Sequence, residues 1–281
     1  MSWWSTTQAL LPQHAISRVV GAISRVHYPP FKNWLNNWFA GAYNVDLSDA
    51  THTSPTDYDS FNAMFTRHLK PGARELHGDE STVISPVDGT LSEFGRIDDN
   101  RLLQAKGRTF TLDALLGSGA LADRFRNGHF ATIYLAPYNY HRIHMPTAGR
   151  VLDMTLVPGR LFSVNTATAA DVDNLFARNE RVVTTIDSAY GAFALVAVGA
   201  LNVGSIATHW HGIVTPPKGR GVQRWHYDAA ESAPRGAHWG HFNMGSTVIL
   251  VWPNDSVALD ATLTVGQTLR LGDALGRWSN A

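Results

Sequence analysis

Apolar residues near the start of the chain recur three or four positions apart, which is the spacing of one face of a helix. The first stripe lies within residues 10–26 and consists of Leu11, Ile16, Val19, Val20, Ile23 and Val26. The second stripe consists of Phe31, Trp34, Leu35, Trp38 and Phe39. The spacing predicts two amphipathic helices, the second with Pro30 in its first turn and Gly41 as its C-cap.

These two helices allow two interpretations. Apolar stripes of this kind usually pack on the protein's own core. Two tryptophans beside phenylalanine on one stripe, following Trp3 and Trp4, are also typical of a helix in the headgroup layer of a membrane. The pattern alone leaves core packing and membrane contact equally open.

The remainder of the chain changes from helical to strand-like patterning. A polar linker covers residues 46–57, and residues 58–69 are predicted as a third helix. Its inward-facing residues are Phe61, Met64 and Phe65. From about residue 80, short apolar runs alternate with Gly and Pro, interrupted by one short helix at TLDALLG. This order predicts an α+β fold, with N-terminal amphipathic helices followed by a β-rich, barrel-like or sandwich-like body.

The segment from Ser188 to Pro217 contains no Lys, Arg, Asp or Glu, which superficially resembles a membrane span. Gly191, Gly199 and Gly204 divide it. The pattern therefore favours two buried strands with a break between them.

Composition narrows the chemistry. The 281 residues carry 23 basic and 23 acidic side chains, so the chain is not a generally basic nucleic-acid binder. It has no Cys, which excludes disulfides, thiolate catalysis and Cys-ligated zinc. Schiff-base chemistry on a lysine amine has few candidates, namely Lys32, Lys70, Lys106 and Lys218. The N-terminus lacks the pattern of a signal peptide.

Gly245 and Ser246 stand directly before an apolar run, Val248–Trp252, that Pro253 ends. One interpretation is an ordinary tight turn into a strand. The other is chemical: a serine hydroxyl can attack the preceding carbonyl if the backbone is held in an unusual conformation, which a glycine tolerates. The resulting ester can eliminate, and water then leaves a pyruvoyl group at the new N-terminus.

Two further stretches place functional side chains beside turns. Asp88 lies in SPVDG, where an Asp-Gly hairpin turn is the alternative explanation. His141 and His144 lie between two prolines, and residues three apart in an extended run point to opposite faces. The pair is therefore a poor metal chelate and is better suited to two separate tasks. An Asp, a His and a Ser together are what a serine nucleophile with an oriented base requires.

Six motifs occur in an order that resembles the phosphatidylserine decarboxylases of the bacterial, pyruvoyl-dependent proenzyme type. They are SPVDGTLSEFG, LQAKGRTFTLDALL, YLAPYNYHRIHMPTAGRV, VPGRLFSVN, NLFARNERV and GHFNMGSTVI. The likeness extends from about residue 10 to about residue 270. The family usually has Leu at the position of Met244, which is a change between two apolar residues.

The resemblance implies that the chain cuts itself between Gly245 and Ser246. Residues 1–245 would form a large subunit and residues 246–281 a small one that begins with a covalent pyruvoyl group made from Ser246. Asp88, His144 and Ser246 would form the self-processing triad, with His144 as base, and His141 would act in decarboxylation. The loop VPGRLFSVN, through its backbone amides with Ser163 and Asn165, is a candidate site for the lipid phosphate.

The resemblance further implies conversion of phosphatidylserine in the bilayer to phosphatidylethanolamine and carbon dioxide. The pyruvoyl ketone supplies the electron sink that the reaction needs. Residues 1–45 would be membrane-associating helices, with Phe31, Trp34, Leu35, Trp38 and Phe39 as contacts, and residues 46–281 the catalytic domain. The protein is expected to be peripheral, at the cytoplasmic face of the bacterial cell membrane, with a homodimer as a compatible assembly and no nucleic-acid partner.

Two alternatives stay open. SPVDGTL also resembles lysostaphin-type zinc endopeptidases, and His209 and His211 would share one face of an extended strand. The other alternative is a non-enzymatic lipid-binding module that uses only the N-terminal helices. It leaves Asp88, His144 and Ser246 without a role.

Overall fold

The structure, a computed structural model, describes residues 8, 11–201, 205–217, 219, 221–228 and 232–280. Trp3, Trp4 and Lys218 lie outside the described residues. The helices are α1 Gln13–Ile23, α2 Pro29–Tyr43, α3 Phe61–Phe65, α4 Leu112–Leu116, α5 Gly119–Asp123, α6 Thr166–Ala169 and α7 Leu175–Arg178, with a 3-10 turn at Pro55–Asp57. The strands are β1 Thr82–Ile84, β2 Gly89–Arg96, β3 Arg101–Ala105, β4 Arg108–Thr111, β5 His129–Leu135, β6 Arg142–His144, β7 Arg150–Val157, β8 Arg181–Ser188, β9 Gly191–Val198, β10 Ile206–Thr208, β11 Gly212–Ile213, β12 Gln223–His226, β13 His238–Phe242, β14 Ser246–Trp252, β15 Val257–Leu259, β16 Thr268–Leu269 and β17 Ala274–Trp278.

Helix α1 turns its polar side toward the protein body. Gln13, Ser17 and Gly21 are buried, whereas Val19 and Ile23 are exposed. This arrangement is the reverse of a surface helix in a water-soluble protein, where the apolar stripe faces the core. The periodicity predicted the helix, and the structure assigns its apolar side to the outside.

Helix α2 begins with two prolines, which suit a first turn because their missing N–H groups would be unpaired there anyway. The predicted C-cap at Gly41 is wrong. The helix continues through Gly41 to Tyr43 and is capped by Asn44, which adopts the left-handed conformation with φ of 50°. Asparagine tolerates this conformation better than most residues, so it can replace the glycine.

The third helix is shorter than the prediction of residues 58–69. Ser60 caps α3 by accepting a hydrogen bond from the N–H of Ala63, and Thr66 ends the helix. The chain after it bridges to the earlier segment at Ala50 and Leu69 instead of continuing the helix. The inward-facing residues are confirmed as buried: Phe61, Met64 and Phe65.

An eight-stranded antiparallel sheet forms the centre of the body. Its strand order is β12-β7-β8-β9-β14-β5-β2-β16, so the described part of the sheet has two free edges and does not close into a barrel. Strand β14 lies between β9 and β5, and all seven of its residues are buried. Its side chains alternate between the two faces. Val248 and Leu250 join one apolar cluster with Trp239 and Phe242, while Ile249 and Val251 join another.

These layers confirm an α+β, sandwich-like body behind N-terminal helices. A four-stranded sheet, β11-β10-β13-β6, lies on the side of the first cluster, and the short helices α4 to α7 lie on the side of the second. The uncharged segment predicted as two buried strands contains β9 and β10, as expected. None of the helices among the described residues combines the length and apolar character needed to cross a bilayer.

Candidate active site

Ser246 is the first residue of the central strand β14, opposite Leu135 of β5. Its side chain is fully buried, and its Oγ has no hydrogen-bond partner. A buried hydroxyl without a partner costs free energy, and such groups are rare in folded proteins. Here the unpaired hydroxyl follows directly on the Gly245 peptide bond, where self-cleavage was predicted. A pyruvoyl group made from Ser246 would therefore form in a buried position, and the hydroxyl would not have to give up a hydrogen bond first.

The unusual backbone conformation lies one residue earlier than expected. Met244 has φ of 102°, a region that a non-glycine residue adopts only at a cost. Gly245 is not among the residues with positive φ, and a Cβ added to it would meet no atom within 4 Å. The positive φ therefore lies on Met244 and not on Gly245.

The residue before Met244 is held from two sides. The side chain of Asn243 donates to Oγ of Ser205 at 2.6 Å and accepts from the side chain of Asn62 at 3.0 Å. Met244 itself packs against the cluster of the N-terminal helices that contains Phe39. The strained residue is thus fixed between the β-rich body and the helices.

His144 ends strand β6 and has a hydrogen bond on each ring nitrogen. Nδ1 lies 2.7 Å from the carbonyl oxygen of Gly236, which can only accept, so Nδ1 carries the proton. Nε2 is then an acceptor and lies 3.0 Å from the hydroxyl of Tyr140. Burial lowers the pKa of His144 below its ordinary value, and the charge of Asp88 acts in the opposite direction. The imidazole is therefore neutral near pH 7, with its basic nitrogen on the Tyr140 side.

Asp88 lies near His144 without bonding to it. Its carboxylate accepts two hydrogen bonds from Arg74, at 3.0 and 2.6 Å, and one from the backbone N–H of Leu271 at 2.8 Å. No hydrogen bond joins Asp88 to His144 in the part of the chain that the structure describes. The tautomer of His144 is fixed by Gly236, and Asp88 acts on the ring through its charge.

His141 occupies a different environment from His144. It is completely buried, its Nδ1 donates to the carbonyl oxygen of Asn139 at 2.8 Å, and its Nε2 has no partner. Its ring packs against Phe65, with centroids 4.0 Å apart. Burial and the nearby charge of Arg67 lower the pKa of His141 to about 3. The structure thus places the two histidines in separate settings.

Two further histidines lie near His144 in the four-stranded sheet, on strand β13. The ring centroid of His238 lies 5.8 Å from that of His144 and 5.9 Å from that of His241. Burial and the charge of Arg142 lower the pKa of His238 to about 3 and that of His241 to about 4. These rings are neutral at pH 7 and add no positive charge beside His144.

The loop predicted to hold phosphate is already occupied by the protein. The N–H groups of Leu161 and Ser163 donate to the side-chain oxygens of Gln13 and Gln8, each at 2.8 Å. The side chain of Asn165 accepts from a backbone N–H and caps helix α6. Phosphate binding at Ser163 and Asn165 stays a prediction, and it would require these bonds to open.

The predicted membrane stripe on α2 divides into an exposed and a buried part. Trp34 and Trp38 are 61% and 54% exposed and stack with ring centroids 6.5 Å apart. Phe31 and Leu35 are half-buried. Phe39 is 7% exposed and packs on the aromatic residues of α3. Phe39 is therefore a core residue, and the tryptophans are the accessible part of the stripe.

The geometry assumed for a zinc site is not present. His209 and His211 lie on the turn between β10 and β11 instead of on one extended strand. His211 bonds through Nδ1 to the hydroxyl of Tyr227 at 3.1 Å. Within the described ranges, no group of three or more His, Cys, Asp or Glu side chains could hold a metal ion.

Backbone strain and unsatisfied buried polar groups both concentrate at functional sites, and here Met244 and Ser246 place them on either side of Gly245. Comparison with known proteins identifies the class. The family model for phosphatidylserine decarboxylase matches residues 61–277, and a shorter model described as PSD matches residues 5–44. The chain therefore belongs to the phosphatidylserine decarboxylase family, as the motifs predicted.

Curated relatives support this membership over nearly the whole length. A phosphatidylserine decarboxylase proenzyme from Pseudomonas fluorescens is 48% identical over 96% of this chain and 95% of its own. Proteins of the same name from Methylococcus capsulatus and Marinobacter nauticus are each 46% identical, over 97% and 96% of this chain and 96% of their own. By its family, the chain is a decarboxylase that is made as a proenzyme.

Four residues at the site were not predicted from the sequence: Tyr140, Gly236, Arg74 and Arg67. Tyr140 adjoins His141 in the motif NYHRIH, so its position beside the histidines was the available signal. Arg74 lies in the turn KPGAREL, 14 residues before its partner Asp88. Gly236 contributes a backbone carbonyl 92 positions from His144, which no side-chain pattern reveals.

Proposed function

We propose that this chain decarboxylates phosphatidylserine to phosphatidylethanolamine, using a pyruvoyl group that it makes from Ser246 by cutting itself after Gly245. The observation that carries the proposal is the fully buried, unpartnered Oγ of Ser246, two residues after the strained Met244. The hydroxyl has no bond to break before it attacks, and the strain raises the energy of the uncut chain.

The first step is attack of Ser246 Oγ on the carbonyl carbon of Gly245. The hydroxyl proton goes to Nε2 of His144 as the C–O bond forms. His144 then passes that proton to the peptide nitrogen as the C–N bond breaks, which leaves an ester and a free amine on Ser246. Nε2 is the correct atom because Nδ1 already carries a proton, held by Gly236. Asp88 favours this step through its charge, which stabilises the protonated ring of His144.

The second step is elimination from the ester. Loss of the α-proton of Ser246 and cleavage of its Cβ–O bond release the large subunit with a C-terminal carboxylate at Gly245. Water then replaces the amine of the remaining dehydro-residue, and ammonia leaves. The small subunit begins with the pyruvoyl group, which supplies a ketone as the electron sink for loss of carbon dioxide.

His141 then acts in proton transfer to the substrate. Its Nδ1 proton is committed to the carbonyl of Asn139, so the unpartnered Nε2 can only accept at first. The substrate's serine amine enters as an ammonium and has to lose a proton before it reacts as a nucleophile. His141 would return a proton to the substrate carbon after carbon dioxide leaves. Because burial and the charge of Arg67 lower its pKa to about 3 in the uncut chain, this role requires the bound substrate to raise that pKa.

We also propose that α1 and α2 hold the protein on the membrane surface that contains the substrate. The exposed apolar side of α1 and the stacked pair Trp34 and Trp38 support this contact. The polar side of α1 is bonded to the body through Gln13 and Leu161. A helix held by its polar side presents its apolar side to lipid without unfolding.

The test compares the wild type with Ser246→Ala. We expect the wild type to appear as two fragments on a denaturing gel and to release carbon dioxide from carboxyl-labelled phosphatidylserine. The small fragment should be lighter by one ammonia than hydrolysis before Ser246 would give, and it should resist Edman sequencing. Ser246→Ala should stay a single inactive chain. A small fragment with a sequenceable Ser246 that still supports decarboxylation would sink the proposal.

A further inference from the structure

Arg67 is a buried guanidinium without an acidic partner. It is 5% exposed, its Nη2 donates to the carbonyl oxygen of Tyr138 at 3.1 Å, and its Nε has no hydrogen-bond partner. No carboxylate of the described residues forms a salt bridge with it. A guanidinium offers five N–H donors, and an unpaired buried charge is costly. Arg67 therefore keeps unused donor capacity and has no salt-bridge partner, although the charges of Asp88 and Asp46 act on it from a distance.

Arg181 is a second buried arginine, and its hydrogen bonds provide a comparison for a guanidinium with a purely structural role. Arg181 is also almost fully buried. Its nitrogens donate to the carbonyl oxygens of Leu115, Ala177 and Asn179 at 2.5 to 2.8 Å. Arg181 fastens chain segments together and has its donors occupied. Arg67 has one such bond, so the same explanation does not cover it.

Arg67 lines a cleft of about 260 Å³ together with Asp88 and the three residues directly before His141. The lining also includes Asn44, the C-cap of helix α2. The cleft thus extends from the helices that we place on the membrane to the loop that carries His141. A headgroup attached to a lipid at the helices would enter here.

The other charged side chains of this cleft are already paired or bonded. Asp88 is bonded to Arg74, and Asp49 is bonded to both Arg74 and Arg270. Asp46 accepts a hydrogen bond from the N–H of Ser48 and contributes an acidic charge at the rim. Of the three arginines in the cleft, Arg67 is the one without a carboxylate partner.

Arg67 and His141 are held by consecutive carbonyl groups. Arg67 donates to Tyr138, and Nδ1 of His141 donates to the next residue, Asn139. The charge of Arg67 also contributes to the lowered pKa of His141, which places the two groups within electrostatic reach. An anion bound at Arg67 would therefore be positioned beside the histidine that we assign to proton transfer.

We propose that Arg67 binds the phosphodiester of the phospholipid headgroup, an inference that rests on the proposed function. The substrate has a second anion, the carboxylate, but an arginine that stabilises it would oppose its loss as carbon dioxide. The phosphodiester is kept through the reaction, so an ion pair with it binds substrate and product alike. This position also differs from the predicted loop at Ser163 and Asn165, whose neighbouring amides the protein itself occupies.

The experiment uses cut, purified enzyme and dihexanoyl phosphatidylserine, which is soluble and separates headgroup binding from membrane binding. We expect Arg67→Gln to raise KM about 10- to 100-fold, since it removes a charged hydrogen-bonding partner, and to change kcat by a smaller factor through the pKa of His141. Arg150→Gln is the matched control, because Arg150 is half-exposed and paired with Asp187. It should leave KM unchanged.

Two inhibitors distinguish the anions. Glycerophosphoethanolamine carries the phosphodiester without a carboxylate, and O-methylserine carries the carboxylate without a phosphate. Arg67→Gln should weaken inhibition by the first compound by the same factor as KM and leave the second unchanged. Weakened inhibition by O-methylserine alone, or no change in either, would overturn the assignment.

If Arg67→Gln is not recovered in cut form, Arg67→Lys is measured with the same inhibitor, and unchanged inhibition by glycerophosphoethanolamine again overturns it. If wild-type enzyme fails to decarboxylate the lipid, it is the proposed function that fails.

Discussion

The hydroxyl of Tyr140 donates a hydrogen bond to Nε2 of His144 across 3.0 Å. In the proposed self-cleavage, Nε2 is the ring nitrogen that would accept the proton of Ser246, since Nδ1 carries its own proton toward Gly236. The base is therefore occupied in the uncut chain, and the Tyr140 bond has to open or be exchanged before the reaction. Burial raises the pKa of Tyr140 to about 12, so its proton stays on the phenol.

Removing this hydroxyl should free the base. We expect Tyr140→Phe to cut about 2 to 10 times faster than the wild type, which corresponds to the loss of one neutral hydrogen bond. The ring of His144 should keep its orientation through Gly236. The rate can be followed on a gel after cell-free synthesis. Tyr138→Phe is the matched control, because Tyr138 is exposed at the edge of the same loop. A slower Tyr140→Phe would instead make the phenol a necessary part of the proton path.

The two histidines should separate the two reactions. His144→Ala and Asp88→Ala should each remain uncut, because the first removes the base and the second removes the charge that stabilises its protonated form. His141→Ala should cut normally and decarboxylate poorly, because His141 acts only after the pyruvoyl group exists. A denaturing gel and a carbon dioxide assay on the same samples check both. A fully cut His144→Ala protein would contradict the assignment of the base.

In the aromatic stripe of α2, the exposed residues should serve membrane binding and the buried residue should serve stability. Replacing Trp34 and Trp38 by Ser should abolish co-sedimentation with vesicles of phosphatidylserine and phosphatidylcholine and leave self-cleavage intact. Phe39→Ala should instead lower the free energy of unfolding by about 3 to 5 kcal/mol, as expected for a large core residue, and retain vesicle binding. Equal sedimentation of the double tryptophan variant and the wild type would show that the stripe is not the membrane contact.

The sequence predicted the order of elements, and its errors have physical causes. Helix α1 was found by its spacing, but periodicity does not say which side faces the body. That choice depends on distant partners, such as the amide of Leu161 for Gln13. Residues 58–69 were predicted as one helix from their spacing. In the structure the end of this segment is extended, because Leu69 pairs with Ala50 in an antiparallel bridge.

The sequence identifies candidate residues where a motif contains them, but it does not reveal partners that lie far away along the chain. Ser246, His144 and Asp88 were selected from motifs, and their roles stay predictions. The bond between Asp88 and Arg74 and the backbone contact of His144 with Gly236 depend on how strands and loops meet. The strain on Met244 likewise follows from the fixed positions of its neighbours, because no local sequence signal makes methionine adopt positive φ.

Acid should destabilise the uncut protein through its buried histidines. The folded pKa of His241 is lowered to about 4, whereas an unfolded histidine titrates near 6.5. Between these values the unfolded chain binds more protons, so stability falls as the pH falls from about 6.5 toward 4. In a Ser246→Ala background, His241→Gln should show a shallower decline of melting temperature over this range. Identical slopes would mean that the partly buried ring of His241 does not stay neutral in the folded protein.

The strained backbone at Met244 should contribute to the rate of self-cleavage, and two substitutions isolate its effect. Met244→Ala keeps a Cβ and therefore keeps the strain at φ of 102°, although it loses the packing against the Phe39 cluster. Met244→Gly loses the same packing and also relieves the strain, since glycine adopts positive φ freely. The difference between these variants reports the strain alone. If about 1 to 2 kcal/mol of strain is released on the way to the ester, Met244→Gly should cut roughly 5 to 30 times more slowly than Met244→Ala. Equal rates, measured by time-resolved gels after cell-free synthesis, would show that the unusual backbone positions Ser246 without driving its attack.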